Sequence, residues 1–134
     1  MNAASGKVMS DNGSKSFKLM IVDDSNIMRR RIERSNQFEE LELVGTAGNG
    51  VEAIEMFKKM DPDVVTMDLT MPQMDGIECI SKLVALKPAI RILVISALAD
   101  KATAVEAMEK GANGFLNKPF TDRQLNEAIA DLMR

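Results

Sequence analysis

The chain has 134 residues, 46% of them hydrophobic and 28% charged, with a net charge of −3, as expected of one ordinary globular domain. That balance offers no polybasic surface for nucleic acid or an anionic membrane, and no apolar run is long enough to span a bilayer. Histidine, tryptophan and tyrosine are absent and Cys79 is the only cysteine, which excludes histidine metal sites, histidine-based triads and an internal disulfide, disfavours aromatic stacking on nucleic acid, and fits a reducing cytoplasm.

Residues 1–16 are small and polar without sustained periodicity and are expected to form a flexible tail, leaving residues 17–134 as the folded domain. Lys18 to Val22 is a short apolar run ending in Asp23-Asp24. Ile27, Met28 and Ile32 follow at helical spacing among arginines, and Arg29, Arg30, Arg31 and Arg34 are expected on the solvated face. Leu41 to Ala47 reads as a strand, Gly48-Asn49-Gly50 as a turn, and Ala53, Ile54 and Phe57 as a second helical stripe closed by Asp61-Pro62. Val64 to Met67 is the third strand, and Asp68 stands at its tip. Pro72 to Gly76 is a loop with Asp75 placed to cap a helix whose stripe is Ile77, Ile80, Leu83 and Val84. Lys87-Pro88 ends it. Ile90 to Ile95 is the most hydrophobic strand and ends at Ser96. Lys101 to Lys110 is a weak, alanine-rich helix stopped by Gly111, and Phe115-Leu116 is a short fifth strand before Lys118. A last helix from Thr121 carries Leu125, Ala128, Ile129 and Leu132 on one face, with a capping-box pattern in Thr121 and Gln124.

Five strands alternating with five helices predict an α/β fold, a parallel sheet covered on both faces. Ligands bind such sheets at the carboxyl ends of the strands. Asp23, Asp24, Asp68, Ser96 and Lys118 all stand at carboxyl strand ends. A carboxylate leaving a buried strand is costly unless something compensates it. Three carboxylates, a hydroxyl and a lysine in one crevice would suit a divalent metal and a phosphoryl group. Mg2+ prefers oxygen and is held by one or two carboxylates plus phosphate and water. Phosphoryl transfer needs mainly positioning and charge neutralisation.

Taken singly, these residues have plainer roles. An Asp pair caps helices, a serine ends strands, a lysine is solvated, Phe115 fills core, the eleven methionines fill gaps, and Cys79 packs inertly on an amphipathic helix. Their combination outweighs that. Val22-Asp23-Asp24-Ser25, Met67-Asp68-Leu69-Thr70-Met71-Pro72, Met74-Asp75-Gly76, Ile95-Ser96-Ala97 and Lys118-Pro119-Phe120 resemble, in order and spacing, the motifs of bacterial response-regulator receiver domains of the single-domain, CheY-like kind. The resemblance spans about Lys18 to Arg134.

It implies a flavodoxin-like (βα)5 fold with strand order 2-1-3-4-5. Asp68 would be the phospho-acceptor from a histidine kinase or phosphotransfer protein. Asp24, Asp68 and the Thr70 carbonyl would ligate Mg2+, with Asp23 acting through a metal-bound water. Lys118, Ser96 and the Ala97 N–H would hold the phosphoryl group, Phe115 would be the switch aromatic, and the Lys118–Pro119 bond would be cis. The protein would be a cytoplasmic two-component switch of the chemotaxis or motility type, monomeric or weakly dimeric, and not a turnover enzyme. Because the chain ends just after its last helix, output is expected through a partner protein on the fourth helix, fifth strand and fifth helix. Phe115 in place of the tyrosine of motor-binding members, together with Thr70 and Leu98, departs from that subtype. Three variants of the same chemistry stay open: an excised receiver of a methylesterase or DNA-binding regulator, a phosphorelay intermediate, and a phosphate sink. A Mg2+-dependent phosphatase would carry an acid where Thr70 stands, and a flavin-binding protein would need a Gly/Ser/Thr-rich loop where Asp23-Asp24 stands.

Overall fold

The computed structural model describes residues 16–98 and 100–134, so the tail expected over 1–16 lies outside the described residues apart from Ser16. Strands β1 (Phe17–Val22), β2 (Leu41–Ala47), β3 (Val64–Met67), β4 (Arg91–Ser96) and β5 (Gly114–Asn117) alternate with helices α1 (Asn26–Ser35), α2 (Gly50–Met60), α3 (Gly76–Leu86), α4 (Lys101–Glu109) and α5 (Asp122–Leu132). All neighbouring strands pair in parallel, in the order β2-β1-β3-β4-β5. The expected fold and strand order are those observed.

Alternation along the strands sorts the core into two layers. Met20, Val22, Val65, Met67, Ile92 and Val94 pack with Ala53 and Phe57 of α2, Cys79, Ile80 and Leu83 of α3 and Ala107 of α4. Leu19, Ile21, Val64, Leu93 and Ile95 face the opposite way, onto Ile32 of α1 and Leu125, Ile129 and Leu132 of α5. The central strands are buried on both faces and so read as continuous apolar runs rather than alternating ones.

Each helix begins on a residue whose side chain accepts a backbone N–H. Ser25 takes Met28, Asn49 takes Glu52, Asp75 takes Glu78, Asp100 takes Thr103 and Thr121 takes Gln124. These caps satisfy donors that a helix start leaves orphaned. Asn49 and Gly50, expected in a turn, are the cap and first residue of α2. Gly111 turns the chain out of α4 at φ +119°, where a side chain would be strained and would also meet Val84.

Helix α1 departs from its expected stripe. Ile32 and Ser35 are buried, but Ile27 is 79% exposed. Two residues after the Ser25 cap, Ile27 lies in the first turn of α1 beside exposed Asp24 and Asn26 and is left uncovered. The arginines depart too. Arg30 and Arg34 are exposed as expected, whereas Arg29 and Arg31 are partly buried and bonded to backbone carbonyls, Arg29 to Asp23 just before its own helix and Arg31 to Phe120 after β5.

Candidate functional site

Strands β1 and β3 are adjacent, yet the chain leaves β1 towards β2 and β3 towards β4. The loops therefore diverge and open a crevice at the carboxyl edge, the usual ligand position in open parallel sheets. Asp23 and Asp24 enter it from β1 and Asp68 from β3. The carboxylates of these three all lie within 4.8 Å of one another.

Asp23 is 1% exposed and fully partnered. Its N–H donates to the Ala47 carbonyl at 3.0 Å, its Oδ1 accepts from the Ser25 N–H at 2.8 Å, and its Oδ2 accepts from Lys118 Nζ at 2.8 Å. Asp24 is exposed at the rim. Asp68 is 5% exposed; its N–H donates to the Val22 carbonyl at 2.9 Å, which locks it in register beside β1. Its Oδ1 is 3.6 Å from Lys118 Nζ and 3.5 Å from the Thr70 N–H. Burial raises the Asp68 pKa to about 6, and the Asp23 charge adds to the rise; Lys118 and the Thr70 N–H oppose it, and Asp24 adds a smaller push upward. One lysine thus faces three carboxylates. The uncompensated charge, the oxygen-only donor set and the close approach of the carboxylates fit a hard divalent cation such as Mg2+.

Ser96 is fully buried at the end of β4. Its Oγ accepts from the Leu98 N–H at 3.0 Å, and its carbonyl accepts from the Lys118 N–H at 2.9 Å, so β4 holds the backbone that carries the lysine. Ala97 and Thr70 are exposed beside the crevice. The Lys118–Pro119 peptide is cis. Phe115 is half-buried and packs against the core layer of α2, α3 and α4, on the sheet face that α4 covers. Gly76 closes the floor; its N–H donates to the Leu69 carbonyl at 3.0 Å, and α3 starts so close that a Cβ there would lie 2.6 Å from Leu69 Cα.

The structure therefore gathers Asp23, Asp24, Asp68 and Lys118 directly and sets Ser96, Ala97 and Thr70 around them. Sequence reading missed two residues that build the walls. Arg29 Nη1 donates to the Asp23 carbonyl at 2.5 Å, and Arg31 Nη2 donates to the Phe120 carbonyl at 2.5 Å. Only their place among otherwise exposed arginines hinted at this, because both would need to reach back from a helix that looks solvated.

A doubly wound single sheet with an acidic cluster and a lysine at its switch point defines a flavodoxin-like α/β protein whose working edge faces cations and oxyanions. Residues 19–130 match the response regulator receiver domain family, and the chain belongs to it. The chemotaxis protein CheY of Listeria monocytogenes is 38% identical over 113 residues, which cover 84% of this chain and 95% of that protein. The protein-glutamate methylesterase/protein-glutamine glutaminase of Pseudoalteromonas atlantica is 45% identical over 118 residues, covering 85% of this chain but 31% of that longer protein. Among solved structures, a chain of the CheX-CheY-BeF3-Mg2+ complex of Borrelia burgdorferi superposes with a TM-score of 0.85 at 30% identity, covering 90% of this chain and 91% of the other.

Proposed function

We propose that residues 17–134 form a phosphorylation switch in which Asp68 accepts a phosphoryl group from a histidine kinase or phosphotransfer protein. The observation that carries this is the pairing of a buried, charge-crowded carboxylate at the tip of β3 with Lys118 Nζ 3.6 Å away, beside two further carboxylates. Asp24, Asp68 and the Thr70 carbonyl would hold Mg2+, with Asp23 acting through water. The ion, when bound, neutralises charge on the acceptor and on the incoming phosphoryl oxygens. Lys118 supplies the second cation. Ser96 and the Ala97 N–H would hold the phosphoryl oxygens, and Phe115 would be the switch aromatic that responds to Ser96. The chain acts as a switch, not as a turnover enzyme; its own site assists phosphorylation and hydrolysis at Asp68.

The high similarity to CheY proteins over nearly their whole length supports a role in chemotaxis or motility signalling. Among the described residues no helix is long and apolar enough to cross a membrane, and a cytoplasmic site fits the reduced Cys79. Output through α4, β5 and α5 is supported by Val105 and Met108, which leave apolar surface on α4 uncovered. The methylesterase likeness favours a second reading, in which the same receiver governs a fused catalytic domain.

A phosphodonor such as acetyl phosphate with Mg2+, followed by intact mass, tests the proposal. A single added phosphoryl group, absent after metal removal and in Asp68→Asn, is expected. Unmodified, folded, Mg2+-loaded wild type would remove Asp68 as the acceptor for small donors.

A further inference from the structure

Lys118 must reach Asp23 and Asp68 from the four-residue connection between β5 and α5 (residues 118–121), and something has to hold that loop on its far side. On its near side the Lys118 N–H is tied to the Ser96 carbonyl at 2.9 Å. On its far side stands Arg31, from a helix 87 residues earlier in the chain (118 − 31). The guanidinium donates to the Phe120 carbonyl at 2.5 Å, lies 4.6 Å from the centroid of the Phe120 ring, and sits 3.6 Å from Asp122 Oδ1. One planar cation therefore grips the backbone, the ring and the first acidic residue of α5 together, which a lysine's single ammonium does not do.

The rest of the α1–α5 seam is held by other residues. Ser35 Oγ donates to Asp122 Oδ1 at 2.7 Å, Asn126 Nδ2 donates to the Ser35 and Asp122 carbonyls at 2.8 Å, and the Gln37 N–H donates to Asn126 Oδ1 at 2.9 Å. Leu125 and Ile129 are buried beneath them. Helix α5 thus stays docked without Arg31. Phe120, two residues after the lysine, is buried in the layer under α1 and α5, and Arg31 adds to that packing a hydrogen bond to its carbonyl and a cation over its ring.

We infer that Arg31 is a positioning residue for Lys118, acting through the Phe120 carbonyl and ring. This rests on the proposed phosphoryl-accepting site and adds a control element to it. Among the described residues Arg31 has no bond to Asp23, Asp24, Asp68 or Thr70, so its loss reaches the site only through Lys118, without removing a ligand of the cation. It also makes α1 a mechanical neighbour of the lysine loop, through a residue only partly exposed beside Arg30.

The test uses Arg31→Met, which keeps an unbranched apolar stem over Phe120 and removes the donors and the charge. Mg2+ affinity and beryllofluoride affinity in saturating Mg2+ are measured by titration calorimetry, alongside the acetyl phosphate labelling rate per folded molecule. Misplacing a group that must meet the transferred phosphoryl is costly even over small distances, so a fall of about tenfold in beryllofluoride affinity and labelling rate is expected. Mg2+ affinity should not fall, because Lys118 competes with a cation for the Asp23 and Asp68 carboxylates. Parallel losses of Mg2+ and beryllofluoride binding, or no loss of either, would overturn the inference. If Arg31→Met does not fold, Arg31→Lys carries the comparison: it keeps the charge but loses the fork, and an unchanged beryllofluoride affinity would likewise refute the role. A wild type that binds no beryllofluoride and takes no label would instead remove the underlying site, and this role with it.

Discussion

Replacing Asp68 by asparagine should stabilise the metal-free protein at neutral pH. Asp68 is almost fully buried, crowded by Asp23, and only partly relieved by Lys118. Its pKa is raised from 3.8 to about 6, a shift worth about 3 kcal/mol at neutral pH. The direction follows from proton counting. Between the two values the native state binds the Asp68 proton more tightly than the unfolded chain does, so stability falls as pH rises through that window. Above about pH 6 the full cost is present; below about pH 4 most of it has gone. Asp68→Asn removes the charge at every pH and leaves the Lys118–Asp23 pair at 2.8 Å intact. For a domain of this size 1 kcal/mol moves Tm by about 3–5 °C, so a rise of roughly 10 °C is expected at about pH 7.5 in chelator. Circular dichroism melts of both proteins at several pH values give the difference, in which the carboxylates remote from Asp68 cancel. The gap should shrink steadily towards about pH 4, and Mg2+ should narrow it at neutral pH by stabilising the wild type. A gap that is independent of pH, or a variant less stable than the wild type at neutral pH, would refute the reasoning.

Three further outcomes are expected. Asp24 is exposed, so Asp24→Asn should melt close to the wild type in chelator yet lose most of the Mg2+-induced rise, which for a ligand at a hundred times its Kd corresponds to about 2.7 kcal/mol; an undiminished rise would take Asp24 out of the cation site. Gly76→Ala should cost about 1–3 kcal/mol in urea unfolding and lower the labelling rate, because the added methyl would press on the Asp68 carbonyl and lie 2.6 Å from Leu69 Cα. Thr66 is buried in β3 and its Oγ1 has no hydrogen-bond partner, so Thr66→Val should raise stability by about 1 kcal/mol; a loss would mean that the hydroxyl is satisfied in solution.

The parts legible in the sequence are those governed by local rules. β2 and β3 fall where their apolar runs begin and end, Asp75 caps α3, and Thr121 with Gln124 forms a full capping box. Each of these depends on residues a few positions apart. Strand order was not among them: it came from resemblance, since hydrophobic alternation is the same for any arrangement of parallel strands. The acidic cluster was legible because only a shared strand edge makes sense of costly carboxylates after buried runs. Arg31 and Arg29 were not legible, because a polar helix face looks alike whether its arginines meet water or a carbonyl 89 residues away. Ile27 misled for the complementary reason: helical spacing shows which residues share a face, not whether an element covers that face.

The Ser96 hydroxyl links the crevice to the outer surface. In the structure it is committed to the Leu98 N–H at 3.0 Å, which fixes the start of the β4–α4 connection. Leu98 is itself 43% exposed and, with Leu69, Ile77 and Thr103, lines a groove of about 540 Å3 between α3 and α4. A hydroxyl has one proton to give, but its oxygen can keep accepting, so turning towards a phosphoryl oxygen need not by itself forfeit the Leu98 bond. A side-chain rotation that carries Oγ away from the Leu98 N–H to meet a phosphoryl oxygen would forfeit it. On the proposed reading, a phosphorylation that turns Oγ in this way would trade one part-buried hydrogen bond for a charge-assisted one and free Leu98. Leu98 on the connection, and Val105 and Met108 on α4, are large apolar side chains left exposed. Helix α4 also has the least segregated apolar face of the five and buries only Ala107, which makes it the element least costly to shift when its anchoring loop is released.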